Sequence, residues 1–152
     1  MANWYSQVNS DENSDYLNTI KNFEVSKVTY SDLKEGKPIG VVTIFYKNEK
    51  GEIFGFATFG HSGYAEIGKD IVCAGVSTLV LATGKSIEKF TKDKTIFDFN
   101  KEGYVKFFLP NLKQGQGSGE AIVLLKELYL GMTEIMKNYG EKYLKVFEII
   151  EK

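Results

Sequence analysis

The chain carries one cysteine and one histidine, and both fall in one short stretch, as Cys73 and His61. A thiol is a strong nucleophile only as thiolate. A neighbouring imidazole can take its proton and later return it to a leaving group. The stretch reads Phe59-Gly-His61-Ser-Gly-Tyr-Ala-Glu-Ile-Gly68-Lys-Asp70-Ile-Val-Cys73-Ala-Gly-Val-Ser77. With Asp70 as N-cap, Cys73 becomes the third residue of a helix. Free N–H groups and the positive end of the helix dipole meet there, and such a place lowers a thiol pKa. His61 sits at the end of a strand, before a loop long enough to bring imidazole and thiol side by side.

The backbone offers further parts. The N–H groups of Cys73 and Ala74 are expected to point out of the helix start and to hold a carbonyl oxyanion. Gly60 and Gly63 let the chain pass close to a substrate or swing as a lid. Asp70 has two readings: it caps the helix, or it orients His61 as the third member of a triad. The cap is favoured, because a carboxylate in contact with sulfur opposes thiolate formation. Ser77, one turn after Cys73, either donates a hydrogen bond near the site or bonds back to the Cys73 carbonyl. A bland reading stands beside all this: a lone Cys in an apolar helix is often a small buried hydrophobe, and a lone His before a loop a surface residue. Tyr64 and Glu66 could touch substrate or simply keep the loop soluble. Gly115-Gln-Gly117-Ser-Gly119 lacks the Lys-Ser/Thr ending of a phosphate loop and reads as a linker.

The elements that must position these residues follow from pattern. Gly40 to Tyr46 is β-branched and aromatic, a strand, and Ile53 to Phe59 pairs with it as a hairpin across Asn48–Gly51. Ile71 to about Phe90 is a helix whose first half is apolar all round, so deep burial is expected. Thr95 to Asn100 and Tyr104 to Leu109 form a second hairpin, and Pro110 to Gly119 a polar connection. Glu120 to Tyr139 is a second helix, with Ile122, Leu125, Tyr129, Met132 and Met136 on one stripe, stopped by Gly140. Leu144 to Ile150 reads as a last short strand with Leu144, Val146 and Glu148 on one face. The order is ββαββα with a possible final strand. It predicts an α+β two-layer sandwich, a mixed or antiparallel sheet covered by two helices on one face.

Residues 1–38 differ in composition from the body, 39–152. They are rich in Asn, Ser and Asp up to about Asn22, then strand-like from Phe23 to Tyr30. The segment reads equally as a disordered leader or as one added strand.

With 152 residues and 43% apolar content, the chain has material for one domain and its core. A net charge of −1 gives no basic excess for nucleic acid. No apolar run approaches the roughly 18 residues that span a bilayer, and the start lacks a signal-peptide stretch. The expected location is the cytoplasm, where a lone Cys stays reduced. One Cys and one His cannot build a structural zinc site unaided, and no cofactor or metal is expected.

At its chemical segment the chain resembles the ribosomal-processing cysteine protease family, Prp. The resemblance rests on Gly60-His61, then Gly68-Lys-Asp70-Ile-Val-Cys73-Ala and Ser77, with twelve positions from His61 to Cys73. It extends from about Ile39 to Lys152 through both hairpins and the Lys-Val-Phe-Glu ending. Ser62 and Gly75 stand where the family more often has Ala, and the segment before Ile39 is outside the family pattern. The resemblance implies an α/β sandwich homodimer with His61 and Cys73 as catalytic pair and no cofactor. It implies a substrate-recognition loop over Ser62 to Lys69, including Gly63 and Tyr64. The implied substrate is the N-terminal extension of a large-subunit ribosomal protein, number twenty-seven, cut after an apolar Phe-containing motif. Phe56, Phe59 and Tyr64 are candidates to line an aromatic substrate pocket. Two rivals remain: a non-catalytic ribosome-assembly factor that binds the same protein, and a redox-sensing thiol protein.

Overall fold

The computed structural model of the chain describes residues 40–60, 65, 70–99 and 105–151. Residues 1–39 lie outside the described residues, and with them the strand-like stretch 23–30. In chain order the elements are β1 (Val41–Lys47), β2 (Ile53–Gly60), α1 (Ile71–Phe90), β3 (Ile96–Phe99), β4 (Val105–Phe108), α2 (Pro110–Lys113), α3 (Gly119–Tyr139) and β5 (Leu144–Ile150). The five strands make one sheet in the order β3-β4-β2-β1-β5. Neighbours are antiparallel except β1 and β5, which are parallel. This is the expected α+β sandwich with a mixed sheet, and the C-terminal segment forms the expected last strand.

The β1–β2 hairpin turns on Asn48. Its Oδ1 accepts from the N–H groups of Lys50 and Glu52 at 3.0 Å each, and its Nδ2 donates to the Leu112 carbonyl at 3.1 Å. One buried side chain thus closes the turn and ties it to α2. The register slips past Tyr46, because Tyr46 faces Gly55 while Lys47 faces Ile53. The extra residue, Phe54, is a bulge. Its ring joins those of Tyr46 and Phe108, at 6.2 and 6.0 Å between centroids.

Both long helices lie on one face of the sheet. Alternation places Thr43, Phe45, Phe56, Thr58, Phe107 and Phe97 on that face. Phe45 meets Tyr129 of α3 edge-on at 5.2 Å. A Cβ on Gly84 of α1 would stand 3.1 Å from the Phe97 ring. The helices also pack against each other, with Gly131 under Leu79 and Gly75 under Ile135. Phe56 stacks on Phe107 beneath them, at 5.6 Å.

The expectation that the first half of α1, apolar all round, is deeply buried is corrected. Val72, Cys73, Val76, Ser77, Val80, Thr83, Gly84 and Ile87 are buried, but Ile71 is 53% exposed and Ala74, Thr78 and Ala82 face out. A two-layer fold buries only one side of a helix, and small residues on the other side cost little. By length and composition α1 is also apolar enough to cross a membrane, which corrects the expectation that no apolar run approaches that length. Here its buried stripe packs against the sheet and α3. The connection 110–119 holds more structure than its polarity suggests. Pro110 opens a helical turn that buries Leu112, and Ser118 caps α3, accepting from Ala121 N–H at 3.1 Å. Ser118 in turn donates its N–H (2.9 Å) and its hydroxyl to the Asp93 carboxylate, which joins the start of α3 to the end of α1.

Where α3 crosses β5, the Tyr129 hydroxyl donates to Glu148. That bond, with burial and the carboxylate charge, pushes the Tyr129 pKa up to about 12. The same bond holds Glu148 below its ordinary range, against the opposing effect of burial and with help from Lys47, whose Nζ lies 3.1 Å from Oε2. A depressed carboxylate stabilises the fold above its ordinary range near pH 4.3 and loses that contribution as pH falls through the lowered folded value. Replacing Tyr129 by Phe should cost about 1 kcal/mol at pH 7, since the pair is partly solvated. Urea unfolding across pH checks this: the gap between wild type and Tyr129→Phe should narrow as pH drops below the ordinary glutamate range. On the alkaline side, the tyrosine's contribution should hold below about pH 10 and fade as pH rises through about 12.

Candidate active site

β2 and α1 are joined by the connection 61–69. The strand leaves through Gly60, paired with Val41, at φ +96°. A side chain there would be strained by conformation and would place a Cβ 2.5 Å from the Gly40 carbonyl oxygen. Ten residues later Asp70, in extended conformation, opens α1.

Asp70 is 6% exposed, and its carboxylate works on both sides of the turn. Oδ1 accepts the Cys73 N–H at 2.9 Å, the N-cap bond to the third helical residue. Oδ2 accepts the Ala65 N–H at 3.4 Å. One buried carboxylate therefore fastens the β2–α1 connection to the turn that carries the cysteine. Asp70 is the cap that the sequence favours. Its alternative role, orienting His61, involves a residue outside the described residues.

Cys73 is 2% exposed and belongs to the core cluster with Val72 and Val76. Ser77, one turn on along the same face, is fully buried. Ala74 is on the outer side of the helix. The structure thus brings Asp70, Cys73, Ala74 and Ser77 together at the start of α1 and sets Gly60 at the end of β2, while His61, Ser62, Gly63 and Tyr64 lie outside the described residues.

Two expectations need correction. The N–H groups of Cys73 and Ala74 are not spare donors for an oxyanion. The first is held by the Asp70 carboxylate and the second by the Asp70 carbonyl at 3.0 Å, the first bond of the helix ladder. Phe56 and Phe59 do not line one pocket. Phe56 is fully buried under the helices, and Phe59, three residues on, is buried on the opposite face of the sheet. What sequence reasoning missed is the second bond of Asp70, to Ala65. A cap is legible from Asp before an apolar run, but a contact back into the preceding loop has no pattern of its own.

No group of three or more His, Cys, Asp or Glu able to hold a metal ion occurs among the described residues. The arrangement is a thiol at a capped helix start.

Comparison with known proteins assigns the chain to a family. The family described as Cysteine protease Prp matches residues 41–145. The ribosomal processing cysteine protease Prp of Bacillus subtilis (strain 168) is 27% identical over 109 residues, covering 71% of this chain and 96% of that protein. Two crystal structures of an essential ribosomal processing protease Prp from S. aureus share the fold. The one with a covalently linked product peptide has TM-score 0.65 at 19% identity, covering 71% of this chain and 98% of that one. The one in complex with a substrate peptide has TM-score 0.60 at 18% identity, with the same coverage.

The double role of Asp70 separates two variants. Asp70→Ala should lose about 1–2 kcal/mol of stability in urea unfolding. It should also raise amide hydrogen exchange at both Ala65 and Cys73, about tenfold per 1.4 kcal/mol of local opening. Asp70→Ser keeps a capping oxygen but lacks the second one. It should recover most of the stability and the protection at Cys73, while Ala65 stays fast.

Proposed function

This chain belongs to the cysteine protease Prp family, and we propose that it cleaves the N-terminal extension of a large-subunit ribosomal protein, number twenty-seven, with Cys73 as nucleophile and His61 as general base. The observation that carries this reading is the Asp70 carboxylate. It bonds Ala65 and Cys73 together and so ties the connection that begins at His61 to the helix turn that bears the thiol.

The reaction follows from the two side chains. His61 takes the Cys73 proton, and the sulfur lone pair attacks the carbonyl carbon after the substrate's Phe. The carbonyl π electrons move to oxygen. The tetrahedral intermediate collapses and breaks the C–N bond, and the imidazolium proton goes to the departing amine. Water, deprotonated by the same imidazole, attacks the resulting thioester. The acid product leaves, and sulfur recovers its proton. The oxyanion takes its hydrogen bonds from groups other than the Cys73 and Ala74 N–H, which the Asp70 cap and the helix ladder already hold. Burial of Cys73 keeps bulk water and adventitious electrophiles from the sulfur, so the nucleophile is reached through local opening when substrate binds.

A synthetic peptide carrying an apolar Phe-Phe-Ala motif, incubated with the purified chain and read by mass spectrometry, tests the proposal. The expected result is one cut after Phe. It should be absent in Cys73→Ala and slowed about 10²–10⁴-fold in His61→Ala. Cutting that persists in Cys73→Ala, or falls indiscriminately on unrelated peptides, would overturn it. A peptide that binds but stays whole would point to the non-catalytic assembly factor.

A further inference from the structure

Phe90, the last residue of α1, is 69% exposed, more than any other large hydrophobic side chain among the described residues. At a rise of 1.5 Å per residue it stands about 25 Å along the helix from Cys73. Its surroundings are basic. Lys85 and Lys89 are exposed one turn apart on α1, and Lys89 Nζ lies 5.7 Å from the centroid of the Phe90 ring. Beyond the helix, exposure alternates: Lys92, Lys94 and Ile96 face solvent, while Thr91, Asp93 and Thr95 are half-buried. None of the four lysines has an ion-pair partner among the described residues.

A run of lysines is ordinarily a solvated surface on a loose segment. Here the backbone that carries them is held. The Thr91 hydroxyl donates to the Ile87 carbonyl at 2.7 Å and accepts the Asp93 N–H at 3.2 Å. Asp93 turns its carboxylate to Ser118 at the start of α3. Its charge is therefore spent on the positive end of that helix and not on the lysines to either side. Glu88 on α1 and Glu120, two residues past Ser118, are exposed and pair with none of the four lysines. The overall charge of −1 averages over this local excess. Unpaired ammonium groups around a bare ring suit a ligand that brings phosphates to the lysines and a flat base to the ring.

We infer that the C-terminal end of α1 docks single-stranded RNA, with Lys85, Lys89, Lys92 and Lys94 on its phosphates and Phe90 stacked on a base. The choice of RNA among polyanions rests on the proposed ribosomal-protein substrate, which is met in the company of RNA. The RNA is then held a helix length from the thiol, so that a substrate protein presents its extension to Cys73 while the RNA beside it rests on the patch. The rival partner is an anionic membrane surface, which would take the lysines at its headgroups and bury Phe90.

The intact full-length chain tests this with a fluorescently labelled oligouridine, read by anisotropy. Four phosphate contacts on a single strand should make affinity fall about 50-fold between about 50 and 200 mM salt. A variant carrying Lys89→Gln, Lys92→Gln and Lys94→Gln should keep a fall of only about threefold over the same range. Phe90→Ala should bind about tenfold more weakly at fixed salt. Both variants should cut the Phe-Phe-Ala peptide as the unsubstituted chain does, and Cys73→Ala should bind RNA unchanged. Loss of cleavage and loss of RNA binding are thus read separately, and failure of the protease reading is told apart from failure of this one. A chain that binds no oligouridine at low salt, or whose variants bind it as tightly as wild type, overturns the inference. Binding to phosphatidylglycerol vesicles in place of RNA assigns the patch to a membrane surface and overturns it too. Should the variants fail to fold, a 4-thiouridine oligonucleotide photocrosslinked to the unsubstituted chain decides: adducts are expected within 85–96, and adducts found only elsewhere overturn the inference.

Discussion

Burial of β1 on both faces is the constraint on which the rest of the structure depends. From Val41 to Tyr46 every side chain is buried, including Thr43, whose hydroxyl has Thr58 as its partner at 3.0 Å. A strand buried on both faces must be central, and its backbone must be paired on both sides. β2 meets the first edge through a hairpin. The second edge is met by β5, which arrives parallel at the very end of the chain. A parallel neighbour requires a crossover, and the crossover here is everything between β2 and β5, including both long helices. The helix layer is therefore a topological consequence of how β1 is paired.

That layer sets where chemistry can occur. α1 follows β2 after the connection 61–69. A helix start brings unpaired N–H groups that need acceptors. Asp70 supplies one of its oxygens to the helix and the other to the connection. The bond that satisfies the helix also fixes the loop, and so stability and the geometry of the thiol share one side chain. The arrangement has a chemical consequence. The Cys73 N–H, which a free helix start would offer to an oxyanion, is spent on the cap. Catalysis at this helix must find its oxyanion donors elsewhere.

Much of this was legible from residue types. The alternating and β-branched runs around Val42 and Phe56, the Gly140 stop and the Leu144–Ile150 strand all carry local signals that packing does not override. Asp70 as cap was legible for the same reason. Other features were not. Phe56 and Phe59 read as neighbours in sequence, yet strand alternation sends them to opposite faces. The helical turn at Pro110 is masked by the glycines that follow it, and its existence depends on Leu112 finding a buried place beside Asn48. The outward Ala74 and Ala82 look apolar enough for a core helix, but only the layer count decides whether a second surface exists to bury them. Each miss comes from tertiary context, which fixes which side of an element meets a neighbour.

The same reasoning bears on how firmly the site is held. The relative position of Gly60 and Asp70 depends on β2 and α1 staying in register across the helix face, through Phe56 stacked on Phe107 and Gly84 close to Phe97. Those contacts hold only as well as the sheet beneath them is fixed. A sheet covered on one face alone exposes the backs of its central strands and bends more easily under the helices. With β1 and β2 buried on both faces, the end of β2 is a rigid point of departure for the loop that begins at His61.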